Sequence, residues 1–347
     1  MERIGQQDGV PDHEAAMAVV MRELAPLDEA DIDVVAHRVV HGGARFAEPV
    51  VIDDDVLAEV RALSALAPLH NPVNVVGIKL ARRALPDRPH VAVFDTAFHQ
   101  TLPPYAYTYA VPPEWATRHG VRRYGFHGTS HAFVSRAAAR LLGRDPAELN
   151  LIVLHLGNGA SATAVERGRS VDTSMGLTPL EGLVMGTRSG DVDPALVAHL
   201  HRTAGLEVEE IDRALNSGSG MKALAGASDL REVHARAAAG DAAAEQALAV
   251  YCYRIRKYVG AYLAVLGHAD AIVFTAGVGE NDPIVRARSL AGLQRLGIRV
   301  DDERNAVASL DPRVISPAGA EVAVLVVPTD EELEMAEQAA ALVLSTP

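Results

Sequence analysis

Arg188 stands between glycines in Gly186-Thr187-Arg188-Ser189-Gly190-Asp191. An arginine in such a loop can present its planar fork to a phosphoryl group or a carboxylate; a solvated surface arginine is the plainer alternative. Arg38 lies inside the apolar segment Val35-Ala36-His37-Arg38-Val39-Val40, where a buried guanidinium needs a partner, so structural pairing and anion binding are both open. His127 and His131 are four residues apart in Arg123-Tyr124-Gly125-Phe126-His127-Gly128-Thr129-Ser130-His131. That spacing suits a metal, but no Glu follows the first His and no third ligand is evident, which disfavours zinc. An imidazole donating to an anion remains, beside helix capping by Thr129 or Ser130.

Two glycine-rich segments offer backbone rather than side chains. In His155-Leu156-Gly157-Asn158-Gly159-Ala160-Ser161-Ala162-Thr163 a Gly-Asn-Gly turn follows the apolar run 151–154. A hairpin tip of this kind exposes N–H groups and lets the main chain approach phosphate oxygens, although such turns often only reverse the chain. Gly277-Val278-Gly279-Glu280-Asn281 follows the strand-like run 271–275 and suits a flat nucleoside or a phosphate. It lacks the Lys-Ser/Thr ending of a Walker A loop and the third glycine of a dinucleotide fingerprint; a tight strand–helix turn explains it equally. Asp229, in Ser228-Asp229-Leu230-Arg231, and Glu331 both read first as ordinary helix-start residues.

The elements that must position these groups alternate between helix and strand along the chain, which predicts an α/β fold. Residues 33–40 read as a strand running into His41-Gly42-Gly43, 54–65 and 71–85 as helices, and 89–94 as a strand. Asp95 falls just past that strand's C-terminal end, where α/β sheets place their chemistry. A proline-rich surface excursion, 103–113, precedes a helix that follows His131 and ends near Gly143. The hairpin at 151–175 opens a second domain, with a helix over 246–266, a strand over 271–275 and a helix from Pro283. A last strand over 321–327 meets a predicted capping box, Thr329-x-x-Glu332, that starts the final helix.

The bulk composition narrows the setting. With 347 residues the chain is long enough for two domains. Its 49% hydrophobic and 22% charged residues describe a soluble globular protein. A formal charge of -13 argues against nucleic-acid and anionic-membrane partners, and makes any anionic substrate depend on a local cluster of arginines. The single cysteine, Cys252, excludes an intrachain disulfide, fits a reducing cytoplasm, and reads as a buried helical thiol. The longest apolar stretch, 248–266, carries Arg254, Arg256 and Lys257, so it is a core-facing helix rather than a membrane span.

Taken together, the motifs resemble the acetate kinase (acetokinase) family. The resemblance rests on 37–43, Pro68-Leu69-His70-Asn71-Pro72, Phe94-Asp95-Thr96-Ala97-Phe98-His99, 124–131, 155–159, 186–191, 274–281 and 328–332, in the family's order and over nearly the whole chain. It implies an α/β protein of the sugar kinase, Hsp70 and actin superfamily. Two actin-like (ribonuclease H-like) domains would hold a nucleotide cleft between them. The first domain would comprise 1–95 plus 332–347 on the acyl-substrate side, and the second, nucleotide-binding domain 96–331. The implied reaction is phosphoryl transfer between ATP and acetate, giving acetyl phosphate and ADP, with Mg2+ or Mn2+, in a cytoplasmic homodimer.

By resemblance Arg38 and Arg188 flank the reacting groups, His127 steadies the transferring phosphoryl, and Asp95 completes the catalytic set. Val40, Leu69 and His70 line the small acyl pocket. His155, Leu156, Gly157, Asn158 and Gly159 contact phosphates. Asp229, Leu230 and Arg231, with Gly277, Val278, Gly279, Glu280 and Asn281, hold the nucleotide, and Glu331 serves the metal. The family's opening strand, Asn-x-Gly-Ser-Ser-Ser turn and second strand have no counterpart here. Met1-Glu2-Arg3-Ile4-Gly5 resembles a later point of the family sequence, so the first domain is expected to be truncated at its N-terminus. The alternatives are a propionate or butyrate kinase, because one methylene is discriminated by only ~1–3 kcal/mol, and a non-catalytic nucleotide-binding module.

Overall fold

The computed structural model describes residues 11–24, 31–68 and 70–344. Leu69, predicted for the acyl pocket, and the correspondence at Met1 to Gly5 lie outside them. The chain forms two units, residues 1–97 with 330–347 and Phe98–Thr329.

In the first unit β1 (Val35–Val39), β2 (Val50–Val51) and β3 (His90–Phe94) form a sheet in the order β1-β3-β2. β1 is parallel to β3, with Arg38 opposite Val93, and β2 is antiparallel to it. Parallel strands need a crossover, and the helices Asp54–Ala62 and Asn71–Ala84 supply it. Asp53 caps the first of these by accepting from the Val56 N–H. All five positions of β3 are buried, as a central strand covered on both faces requires. One face buries Ala92 and Phe94 with Val39, Phe46, Val60 and Ile78. The other buries Val91 and Val93 against Ala339 of the final helix, Glu331–Leu344.

That final helix is not started by the predicted capping box. Asp330 accepts from the Leu333 N–H at 2.9 Å, while Thr329 is engaged elsewhere: its N–H donates to Glu280 and its hydroxyl bonds Ser130. Arg38 also departs from the expectation of a buried arginine: its side chain is 42% exposed.

The second unit holds β4 (Asn150–Leu156), β5 (Ala160–Glu166), β6 (Arg169–Thr173), β7 (Ala271–Thr275), β8 (Arg313–Val314) and β9 (Ala323–Val326), in the order β6-β5-β4-β7-β9-β8. β4, β7 and β9 run parallel and the remaining pairings are antiparallel. Leu151 and Val153 of β4 pack with Val273 and Leu325 under the helix Gly128–Leu142. Ile152 and Leu154, which alternate to the opposite face, are also fully buried.

The helix Gly128–Leu142 includes His131 rather than following it. Its N-cap is His127, in the left-handed region at φ 57°, so neither Thr129 nor Ser130 caps it. The helix predicted over 246–266 begins earlier, at Ala242, because Asp241 accepts from the Ala243 and Ala244 N–H groups. It buries Cys252. The glycine-rich segment read as a loop is the short helix Ala276–Asn281, entered through Ala276 at φ 64°.

Candidate functional site

In the first unit β1 and β3 end side by side, which brings Arg38 to Asp95. The guanidinium donates twice to the carboxylate, Nε to Oδ1 and Nη2 to Oδ2, both at 2.8 Å. Asp95 is nearly fully buried and both of its oxygens are committed to Arg38. Glu331, at the start of the final helix, lies 3.8 Å from the same Nη2. Chiefly the Asp95 charge, then its hydrogen bonds, hold the Arg38 guanidinium above its ordinary range.

The turn after β1 is stitched in place. Asn71 exchanges hydrogen bonds with the His41 backbone, accepting from its N–H and donating to its carbonyl. The Gly42 N–H donates to Thr96. A Cβ at Gly42 would come within 2.9 Å of Phe94, so the close approach requires glycine. Val40 donates its N–H to Asn74, and His70 is the half-buried residue just before the helix Asn71–Ala84.

In the second unit the histidines, the hairpin tip and Arg188 come together. His155 is the next-to-last residue of β4 and its ring stacks on His127 with centroids 4.2 Å apart. Gly159 lies beneath Arg188 and His127: a Cβ built on it would be 3.4 Å from His127 Nε2 and 3.5 Å from Arg188 Nη1. This is a small cradle with a ring nitrogen and a guanidinium at its rim. Arg188 has no carboxylate partner among the described residues; Nη1 donates to the Pro179 carbonyl at 3.2 Å and approaches the Met185 sulfur. Burial pushes this guanidinium below its ordinary range. A half-buried cation without a counter-charge is a site for an anion.

Beside the cradle is a cavity of about 280 Å3. Of the residues predicted to hold nucleotide, Gly157, Asn158, Asp229, Leu230, Arg231 and Val278 line it. Asp229 caps its helix through the Arg231 N–H, and the Arg231 side chain folds back on the same carboxylate. That hydrogen bond holds the Asp229 carboxyl at about 2.

Other predicted members do not face the cavity. Leu156 is fully buried in the core. Gly279 packs against the Phe274 backbone, Glu280 accepts from the Thr329 N–H, and the Asn281 amide donates to the Gly277 carbonyl. The buried Arg286 fixes this short helix by donating to the carbonyls of Gly279 and Glu280. Met221 and Tyr251 line the cavity as well, and no local pattern marked them. Gly186 and Ser228, which stand in the same segments as Arg188 and Asp229, also line it.

The model of the acetokinase family matches residues 2–337. The chain belongs to the acetokinase family. It is 60% identical over 338 residues to the acetate kinase of Streptomyces avermitilis, covering 96% of this chain and 84% of that protein. It is 52% identical over 340 residues to the acetate kinase of Desulfotalea psychrophila, again covering 96% and 84%. Among solved structures, Porphyromonas gingivalis acetate kinase matches with a TM-score of 0.92 at 42% identity, covering 96% of this chain and 86% of that one. A propionate kinase from Francisella tularensis matches with a TM-score of 0.90, also at 42% identity, covering 96% and 85%. The fold is thus that of the family.

Among the described residues no group of three or more His, Cys, Asp or Glu side chains could hold a metal on its own. Asp95 is committed to Arg38, and Glu331 lies 3.8 Å from the same guanidinium. Magnesium typically takes one or two protein carboxylates and completes its shell with water and substrate phosphates.

Proposed function

We propose that this chain is an acetate kinase, which transfers a phosphoryl group reversibly between ATP and acetate to give acetyl phosphate and ADP. The observation that carries the reading is the cradle at Gly159, with His127 Nε2 and the uncompensated Arg188 at its rim. The 60% identity to an acetate kinase supports it.

Phosphoryl transfer passes through a loose transition state whose charge is spread over equatorial oxygens, so fixed donors and cations do most of the catalytic work. Arg188 and His127 supply a cation and a ring N–H, and the backbone of 155–159 supplies close approach. Arg38 holds the carboxylate of acetate, with Val40 and His70 around the methyl group. Asp229, Leu230 and Arg231, with the helix that begins at Ala276, hold the nucleotide. Magnesium or manganese, held by Glu331 when bound, offsets charge on the nucleotide's phosphate oxygens.

Acetate is already ionised at neutral pH, so its attack needs no base. Asp95, with both oxygens on Arg38, is therefore an orienting group. By family resemblance the enzyme works as a homodimer in the cytoplasm.

Trapping of acyl phosphate by hydroxylamine, with Mg-ATP and acetate, propionate or butyrate, tests the reading. The expected order is acetate first, with each added methylene costing the equivalent of ~1–3 kcal/mol. Nucleotide binding without acyl phosphate from any of the three acids refutes it.

A further inference from the structure

Behind the cradle the second unit contains four histidines whose rings touch: His99 to His131 at 5.6 Å, His131 to His155 at 6.2 Å and His155 to His127 at 4.2 Å between centroids. Two of the phosphate-side assignments use His127 and His155. His99 and His131 are fully buried and belong to no role so far described. Their hydrogen bonds determine where protons sit.

His99 is simple. Its Nε2 lies 3.0 Å from the Phe126 carbonyl, which only accepts, so Nε2 carries the proton. Its Nδ1 then accepts from the Ser170 hydroxyl at 2.8 Å.

Ser161 presents the informative case. It sits on β5 directly across from His155 and is fully buried. Its Oγ is 2.9 Å from His127 Nδ1 and 2.8 Å from His131 Nε2. A hydroxyl has one proton and two lone pairs, and among the described residues these two ring nitrogens are the only hydrogen-bond partners of Ser161 Oγ, so its proton goes to one ring and it accepts from the other. Either His131 donates and His127 accepts, or the reverse.

The other nitrogen of His131 decides between them. Nδ1 is buried and has no hydrogen-bond partner among the described residues. If His127 were the donor, His131 would carry its proton on Nδ1, an orphaned N–H in the interior. In the opposite arrangement Nδ1 is a bare lone pair. Orphaned buried N–H groups are the rarer defect of the two. A doubly protonated His131 is excluded by its surroundings, since burial, with His99 and His155 alongside, holds it well below its ordinary pKa.

We propose that Ser161 is a positioning residue that fixes the tautomer of His127: His131 Nε2–H donates to Ser161, and Ser161 donates to His127 Nδ1. Neutral His127 then carries its proton on Nε2, the atom at the rim of the Gly159 cradle. The ring offers a donor to an anionic oxygen without first having to be protonated. The catalytic consequence rests on the kinase reading above, whereas the tautomer itself does not.

The test is 15N NMR of the imidazole nitrogens in the intact protein, with the His127 signals assigned by their loss in His127→Gln. The wild-type ring is expected to show a protonated Nε2 and a bare Nδ1, and Ser161→Ala to lose that preference. The same variant should lower kcat by about 10- to 100-fold, the worth of a hydrogen bond to a charged group, with KM for ATP little changed. Ser161→Thr, which keeps the hydroxyl, should restore both the tautomer and most of kcat.

A proton on Nδ1 of wild-type His127 overturns the proposal, even if Ser161→Ala fails to fold. So does a Ser161→Ala protein whose His127 signals match the wild type. If the wild type shows the expected tautomer yet makes no acyl phosphate, the relay stands and the kinase reading falls.

Discussion

Replacing Asp95 with Asn tests whether this carboxylate orients Arg38 or moves a proton. The substitution keeps the shape, but one accepting oxygen becomes an NH2 group facing the guanidinium's own N–H, and the charge is lost. Two charge-assisted bonds of 2.8 Å are affected. Breaking a fully buried ion pair costs ~3–5 kcal/mol, but Arg38 is 42% exposed and water can take over its donors. The stability cost should therefore fall near the ~1.5 kcal/mol end of the range for one charged hydrogen bond. Activity should suffer more, because a reacting group displaced by the order of 1 Å loses about 100-fold in rate, or ~2.7 kcal/mol in barrier.

The assay is acyl phosphate formation against pH for wild type, Asp95→Asn, Arg38→Ala and the double variant, with thermal unfolding alongside. Asp95→Asn is expected to lower the profile uniformly, without changing its shape. Once Arg38 is gone, the second substitution should cost almost nothing further, because residues acting through one another are non-additive. Recovery of the Asp95→Asn rate at high pH or with small added bases, together with additive losses in the double variant, would refute the orienting role and make Asp95 a base.

Gly159→Ala should fold normally, since its Cβ meets nothing closer than about 3.4 Å, yet lose phosphoryl transfer by the order of 100-fold through crowding of the cradle; wild-type turnover would count against the site. Gly186→Ala, whose Cβ would meet the far end of the exposed Asn158 side chain, should displace that side chain and weaken nucleotide binding with little change in melting temperature. Arg188→Met should abolish turnover while leaving the melting temperature equal or higher, because it removes a half-buried cation with no carboxylate partner among the described residues; marked destabilisation would contradict that. Stability should also fall in mild acid. Burial lowers the His99 pKa from its ordinary 6.5 to about 4. As its folded pKa is depressed, the neutral ring is fully compatible with folding above pH 6.5, and stability is lost from there down to about pH 4. The loss amounts to ~3 kcal/mol at the lower limit. A flatter melting-temperature profile for His99→Gln than for wild type over that interval checks the assignment.

Features with local chemistry were legible in the sequence. The Gly157-Asn158-Gly159 tip joins β4 to β5 in the expected hairpin, because turn residues act on their own backbone. Asp95 falls past the end of β3 because the apolar run 91–94 ends there. Local pattern misled where a tertiary partner outbid it. Thr329 matches a capping box, but Glu280 and Ser130 claim its N–H and hydroxyl, and Asp330 caps instead. The run 277–281 resembles a loop by its glycines, yet Arg286 binds the carbonyls at 279 and 280 and holds the segment helical. Met221 and Tyr251 reach the cavity beside the cradle only because distant helices meet there.

The same division separates the groups proposed to touch substrate from those that aim them. Arg188 and His127 stand out in sequence because a cation or an imidazole among glycines has few structural uses. Ser161 and His131 do not stand out, since a serine in a strand and a histidine in a helix are ordinary. Their significance arises from a separation of 30 residues closed to 2.8 Å by the packing of the helix Gly128–Leu142 on the sheet. Aiming also depends on strain that no composition reveals. His127 occupies the left-handed region, which is costly for a residue with a side chain. Its position is over-determined by Ser161 on one nitrogen and by the His155 ring on its face. A histidine held by both backbone and ring gives up rotational freedom before substrate arrives. Such pre-organisation is what a loose, charge-diffuse transition state rewards, because donors that need not reorient cost nothing further as charge develops.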